Sequence, residues 1–255
     1  MENESHFNSE SQEKRFGSDV QIHAIFMRHG EKGESGELTE EGKRQARELG
    51  SDLVSKDAIK AYSSPVQRVL ETVQQVIEAA PHDKKFNTRI RAEIGIPPSS
   101  KEFIKKFREL EKQGPNAAAE WYLGFGAEKP DSETTSPHEI AESFAYILTK
   151  YLRMTEKLYS GSNVDLINGT HQGLPEALLK EILIQQKDDQ QIVGFDKLED
   201  IGGALKFTEG MEFLIKTDKQ GNKFLKLNFR GQAYDLDMNK LDELAKSYEE
   251  KQKHE

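Results

Sequence analysis

The sequence predicts an α/β fold: a three-layer α/β/α sandwich with a mostly parallel central sheet and an inserted cap segment. Three observations lead there. Short apolar runs of strand length alternate with stretches whose apolar residues recur at helical spacing. The runs are nearly continuous in apolar character toward their ends, as strands covered on both faces must be. One stretch, residues 95–136, fits neither pattern: it carries Pro97-Pro98, Gly114-Pro115 and Lys129-Pro130, and reads as a cap over the sheet.

Taken in order, residues 1–18 are polar and lack periodicity, which predicts a disordered tail before a single domain over 19–255. Val20 to Met27 reads as the first strand. Thr39 is a good N-cap for a helix reaching about Val54, and Glu40 and Glu41 suit its positive end. Ala58 to Tyr62 is a short strand. Ser64-Pro65 predicts the start of the next helix, with Ser64 as N-cap and an apolar face of Val66, Val69, Leu70, Val73, Val76 and Ile77. Phe86 to Ile94 reads as a strand. After the cap, Ser136 and Glu139 offer a capping box for a long helix reaching about Tyr159. Val164 to His171 is a strand, Leu174 to about Gln186 a helix, and Gly203 to Lys216 a strand. Residues 217–255 read as a hairpin turning at Asp218-Lys219-Gln220-Gly221-Asn222, followed by a charged helix from Asn239 to about Lys251 with a solvated face.

Composition narrows the function. The 255 residues carry a formal charge of −9, a field that repels nucleic acid and anionic membranes, so neither is an expected partner. A phosphate site in such a chain has to be a local cationic pocket. There are no cysteines, which excludes disulfides, thiolate metal sites and cysteine-based phosphatase chemistry. No run approaches the ~18 apolar residues of a membrane span. The start shows neither the basic nor the apolar region of a signal peptide, so a cytoplasmic location is the expectation.

Chemistry gathers at strand ends, where open α/β sheets bind ligands. Ile25-Phe26-Met27 ends in Arg28-His29-Gly30. Arg68 falls one turn into the helix after the second strand, and the strand from Val164 delivers His171, with Gln172 following. Two guanidiniums and two imidazoles at one edge suit a phosphomonoester. Arginine presents a planar, permanently charged fork to phosphate oxygens. A neutral imidazole near pH 7 is a competent nucleophile, and a second one can donate to an oxygen as charge redistributes. The set requires no metal and no cofactor.

Arg28-His29-Gly30, Leu38-Thr39-Glu40-Glu41-Gly42, the run from Ser64-Pro65 through Arg68 to Glu71-Thr72, and Asn168-Gly169-Thr170-His171 together resemble the histidine phosphatase superfamily, the phosphoglycerate mutase-like family, from Val20 to about Ile215. The resemblance implies a metal-independent phosphatase that hydrolyses phosphomonoesters, on small molecules or phosphoproteins, through a phosphohistidine. It implies His29 as nucleophile and Arg28, Arg68 and His171, with Gln172 beside them, as the phosphate pocket. It sets Glu93, in Arg91-Ala92-Glu93-Ile94-Gly95, where the family's general acid often lies. A related branch carries an acid directly after the second histidine; Gln172-Gly173 stand there instead. Mutases usually carry Trp-Asn soon after Arg-His-Gly; Glu31-Lys32-Gly33-Glu34-Ser35 stand there, which favours a phosphatase. A mutase and a catalytically idle phosphate-binding module are the alternatives, and assembly state is not legible.

Blander roles compete. Arg68 alone would be expected to pair with Glu71 or Glu48 on a helix surface, and His171 could be a core histidine. His23 reads as structural and His138 as solvated. His6, His82 and His254 sit in polar contexts. Trp121, Tyr122, Phe125 and Phe107 read first as residues packing the cap and second as substrate-pocket walls.

Overall fold

A computed structural model describes residues 16–114, 116–187 and 190–253. The predicted tail falls largely outside these residues, as do His6 and His254. Its last residues are packed rather than free: Phe16 stacks on Tyr159 with ring centroids 4.8 Å apart, and Gly17 N donates to Leu158 O at 3.0 Å.

The elements run β1 (Gln21–Arg28), α1 (Glu40–Asp52), β2 (Ala58–Ser63), α2 (Gln67–Ala79), β3 (Arg89–Ile90), α3 (Lys101–Glu111), α4 (Ala117–Leu123), α5 (Pro137–Met154), β4 (Asn163–Thr170), α6 (Leu174–Ile182), β5 (Leu183–Lys187), β6 (Gln190–Val193), β7 (Gly210–Thr217), β8 (Lys223–Phe229), β9 (Gln232–Leu236) and α7 (Met238–Gln252). One sheet orders them β3-β2-β4-β1-β7-β8-β9-β5-β6. The strands β3, β2, β4 and β1 are parallel and form its core, and β7, β8, β9, β5 and β6 extend it antiparallel. The C-terminal hairpin therefore does more than decorate the fold: β7 covers the free side of β1.

Both faces of β1 are covered, which explains its unbroken apolar character. Ile22, Ala24 and Phe26 enter a large cluster with α5, α6 and α7, while Met27 joins Ala46, Ile59, Val73 and Val76 under α1 and α2. Fully burying one side chain of the size of Phe26 stabilises by about 1.5–3 kcal/mol. Helix starts follow the sequence where a cap is present. Thr39 Oγ1 accepts from Gly42 N at 3.0 Å, and Ser136 and Glu139 close a capping box on α5; each such cap contributes about 1 kcal/mol. The solvated face expected of the last helix is only part of α7: Leu241, Leu244 and Ala245 are buried, and Ser247 and Lys251 reach the buried Glu142 of α5 at 2.6 and 2.5 Å.

Several boundaries differ from the sequence reading. The strand expected over Phe86–Ile94 is reduced to Arg89–Ile90 plus a bridge from Lys85 to Ile59, and Ala92–Ile94 form a 3-10 turn. The helix after Leu174 stops at Ile182, where the chain becomes β5. The strand expected from Gly203 begins at Gly210, because residues 203–209 form a loop against the strand ends. His82 is buried rather than solvent-facing, with Nε2 2.8 Å from Asp165, whose other oxygen takes Lys56 Nζ at 2.8 Å. That ionic cluster lies at the start of β4, the opposite end from His171.

Candidate active site

The backbone fixes three strand ends side by side before any side chain acts. Beyond the strands proper, His29 N donates to Thr170 O at 3.2 Å and Ser64 N to Gly169 O at 3.0 Å. Arg28 and His29 leave β1, Ser64 leaves β2 and His171 leaves β4 at one level. Gly30 owes its place to close approach rather than to looseness. A Cβ there would sit 2.5 Å from the Gly42 carbonyl oxygen, because the loop crosses the first turn of α1. Gly30 N also donates to Thr72 Oγ1 at 3.1 Å, tying the loop to α2.

On this frame Arg28, His29, Arg68, His171 and Gln172 all line one open cavity of about 790 Å³. His29 Nδ1 lies 2.7 Å from Gly30 O, an oxygen that can only accept, so Nδ1 carries the hydrogen and Nε2 holds the lone pair. Arg68 Nε–H donates to that Nε2 at 3.2 Å. The two imidazoles meet edge to face, centroids 5.5 Å apart. Burial foremost, with the cations of Arg68, Arg28 and Lys32, drives the His29 pKa down to about 3, against the opposing Gly30 carbonyl. Burial, the paired His29 and the same cations hold His171 well below its ordinary value. Both rings are thus neutral at pH 7.

Arg28 is held from two sides. Its Nη1 donates to Leu205 O at 2.9 Å, and Phe207 lies against its guanidinium at 4.2 Å. Its buried Nε has no hydrogen-bond partner among the described residues, an unsatisfied cationic donor of the kind anion sites provide. Arg68 pairs with neither Glu71 nor Glu48; those carboxylates take Gln67 and Arg44. Burial lowers the pKa of both arginines, and at pH 7 both stay charged.

Three contributors escaped the sequence reading. Ser64 is not the N-cap of α2; Val66 holds that position, and Ser64 Oγ lies 2.9 Å from His171 Nε2. Glu176, fully buried on α6, accepts from Gly173 N at 2.9 Å and Leu205 N at 2.8 Å, and burial raises its pKa. Through Leu205 it braces the loop that holds Arg28. A glutamate between Leu174 and Ala177-Leu178, on the apolar side of a helix, was the available signal. Lys32 joins the cavity and pairs with Glu111 of α3 at 3.3 Å.

Glu93 is not among the cavity-lining residues. Its turn tucks against α5, where Ser143 Oγ donates to Glu93 O at 3.0 Å, and its charge is felt at Tyr151. The carboxylates lining the cavity are Glu34 and Glu111. Of the cap aromatics, Phe107 and Tyr122 line the cavity, whereas Trp121 stacks on Phe103 at 5.1 Å and meets Phe125 edge-on at 5.3 Å. No group of three or more metal-ligating side chains occurs among the described residues, and no helix there is long and apolar enough to cross a membrane.

Comparison with known structures finds the same architecture in two phosphatases and a hydrolase. A phosphoserine phosphatase from Entamoeba histolytica, in complex with 3-phosphoglyceric acid, matches with a TM-score of 0.50 at 19% identity, over 85% of this chain and 98% of its own. A mycobacterial glucosyl-3-phosphoglycerate phosphatase matches at 0.52 and 14%, over 80% and 97%. A protein described as mycobacterial hydrolase 1 matches at 0.52 and 15%, over 84% and 99%. At these identities the likeness is one of fold. Comparison with curated proteins returns no match. The family model for branch 1 of the histidine phosphatase superfamily matches residues 24–197, a span that holds Arg28, His29, Arg68 and His171, and the chain belongs to that superfamily.

Proposed function

We propose that this protein is a phosphatase that hydrolyses phosphomonoesters through a phosphohistidine on His29. The observation that carries the reading is the state of that ring. It is neutral and fixed by the bond from Nδ1 to Gly30 O, and its Nε2 lone pair accepts from Arg68 Nε–H until a bound phosphoryl group draws that guanidinium to its own oxygens and frees Nε2 to attack. In the first step Nε2 attacks phosphorus, the ester P–O bond breaks, and the alcohol leaves with a proton. In the second, water attacks phosphorus, the P–N bond breaks, and inorganic phosphate departs. Arg28 and Arg68 neutralise the equatorial oxygens, and His171 donates to one of them. Gln172 borders the same hollow. The departing oxygen needs a proton donor. Of the two carboxylates that line the cavity, Glu34 and Glu111, it is Glu111 that acts electrostatically on both arginines; Glu93 is the residue that the family resemblance offers. Geometry comes first in that choice and favours Glu111.

The test is phosphate release from a panel of phosphoesters in the presence of chelator, with the quenched enzyme examined for an acid-labile phosphoryl group. Turnover and a label at residue 29, both lost in His29→Ala, are expected. Transfer between two positions of one substrate with no net release would make the protein a mutase. Anion binding with neither release nor label would make it an idle binding module.

A further inference from the structure

We propose that the alcohol esterified to phosphate in this protein's substrate is large and apolar, and lies along α3, rather than being a sugar or another small polar alcohol. This rests on the reading that Arg28, Arg68 and His29 hold the phosphoryl group.

The argument begins with the sequence of α3. Phe103, Ile104 and Phe107 are spaced to form one apolar stripe on a helix otherwise rich in Lys, Glu and Arg. Such a stripe is ordinarily buried against the protein that carries it. Here no residue of α3 is buried. Phe103 is anchored to the cap, stacked on Trp121 and edge-on to Tyr122 at 5.5 Å. Ile104 remains 37% exposed and Phe107 half-buried, and both line the same cavity as Arg28, His29, Arg68 and His171. Ile96, 53% exposed, and Leu174 extend the same apolar wall.

Size and polarity agree. At about 790 Å³ the cavity is in the upper part of the roughly 300–1,000 Å³ typical of small-molecule sites, so a phosphoryl group fills only a minor part of it. The apolar wall offers little to a polyol. The Tyr122 hydroxyl already donates to Thr135 O at 3.0 Å, and hydroxyls set against Ile96, Ile104 and Phe107 would lose water without replacement. An alkyl or aryl group there covers Ile104 and Ile96 and the part of Phe107 that the protein leaves uncovered.

The experiment measures calorimetric affinity for n-alkylphosphonates from methyl to octyl, whose P–C bond this reaction does not cleave. Affinity should rise about two- to fourfold per methylene, and Ile104→Ser, at an exposed position that folding tolerates, and Phe107→Ser should flatten the rise. A flat series in the unaltered protein, or tighter binding of a hydroxylated phosphonate than of an alkyl one of equal length, overturns the inference. Hydrolysis of the matching alkyl phosphates is scored separately. Turnover with a flat binding series defeats this inference and leaves the phosphatase reading. A steep binding series without turnover supports this inference and defeats that reading.

Discussion

The hydroxyl of Ser64, at the end of β2, lies 2.9 Å from Nε2 of His171, at the end of β4. Ser64 Oγ also accepts from Val66 N at 3.3 Å, so the hydroxyl hydrogen is available to Nε2, and in that tautomer Nδ1 of His171 carries the ring proton. Ser64→Ala leaves a buried imidazole nitrogen unpartnered. A stability loss of about 1–3 kcal/mol is expected by denaturant titration, together with reduced phosphate release as the ring loses its orientation. Unchanged kinetics would remove Ser64 from the site.

His29 and His171 both stay neutral far into acid, which sets the sign of a pH effect. The unfolded chain binds protons on them near pH 6.5, whereas folded His29 does so only near pH 3. The contribution of His29 to stability is complete above about pH 6.5 and is lost as pH falls toward 3, a few kcal/mol on the order of magnitude, and the lowered His171 acts in the same direction. Thermal midpoints should fall between pH 7 and pH 4, less steeply in His29→Asn. Nitrogen NMR of the His29 ring should report one neutral tautomer, protonated at Nδ1, throughout that range.

Arg68 donates directly to Nε2 of His29 and borders the hollow. Arg68→Ala should lower kcat/KM by about 10²–10³-fold, the loss typical of removing one donor to developing charge. Arg68→Lys should recover little, because an ammonium lacks the planar fork. Inhibition by inorganic phosphate, measured in parallel, should weaken in both.

Gly42 and Gly30 meet where the loop crosses α1. A Cβ on Gly42 would overlap Glu31 O and sit 2.7 Å from Leu38 Cδ1. Gly42→Ala should destabilise by about 1–3 kcal/mol through overpacking and displace the segment carrying His29. A thermal midpoint and phosphate release equal to the parent's would contradict this close approach.

The proton donor can be found from leaving groups. Alkyl phosphates need protonation and 4-nitrophenyl phosphate hardly does, so losing the donor raises the ratio of nitrophenyl to alkyl turnover. Glu111→Gln should raise that ratio and Glu93→Gln should leave it unchanged. The reverse pattern gives the role to Glu93.

The parallel core, and the meeting of Arg28, His29, Arg68 and His171 in one cavity at its strand ends, were readable because burial on two faces forces uninterrupted apolar runs, such as Ile25-Phe26-Met27, that end abruptly in polar residues. Helix α5 was readable because Ser136 and Glu139 advertise a cap. The strands β5, β6 and β9 were not. Segments such as Ile184-Gln185-Gln186-Lys187 and Gln190-Gln191 lie far from the parallel core and bury too little to show a period. Ser64 misled because serine before proline imitates a cap, while its bond to His171 spans residues far apart in the chain. Glu93 was offered by resemblance, and local sequence does not encode which way a turn presents its side chain. Glu176 and Phe207 act through tertiary contacts with no local pattern.

The placement of β1 has a consequence for synthesis. β1 pairs on one side with β4, from Asn163, and on the other with β7, from Gly210, both made much later than β1 itself. The nascent chain therefore carries an apolar strand without either neighbour while the segments between β1 and β4, and then between β4 and β7, are made. Contacts this distant slow folding and expose sticky intermediates. A fragment released before residue 210 would leave one side of β1 open to pairing with other chains, so truncation there should yield aggregate rather than a smaller enzyme.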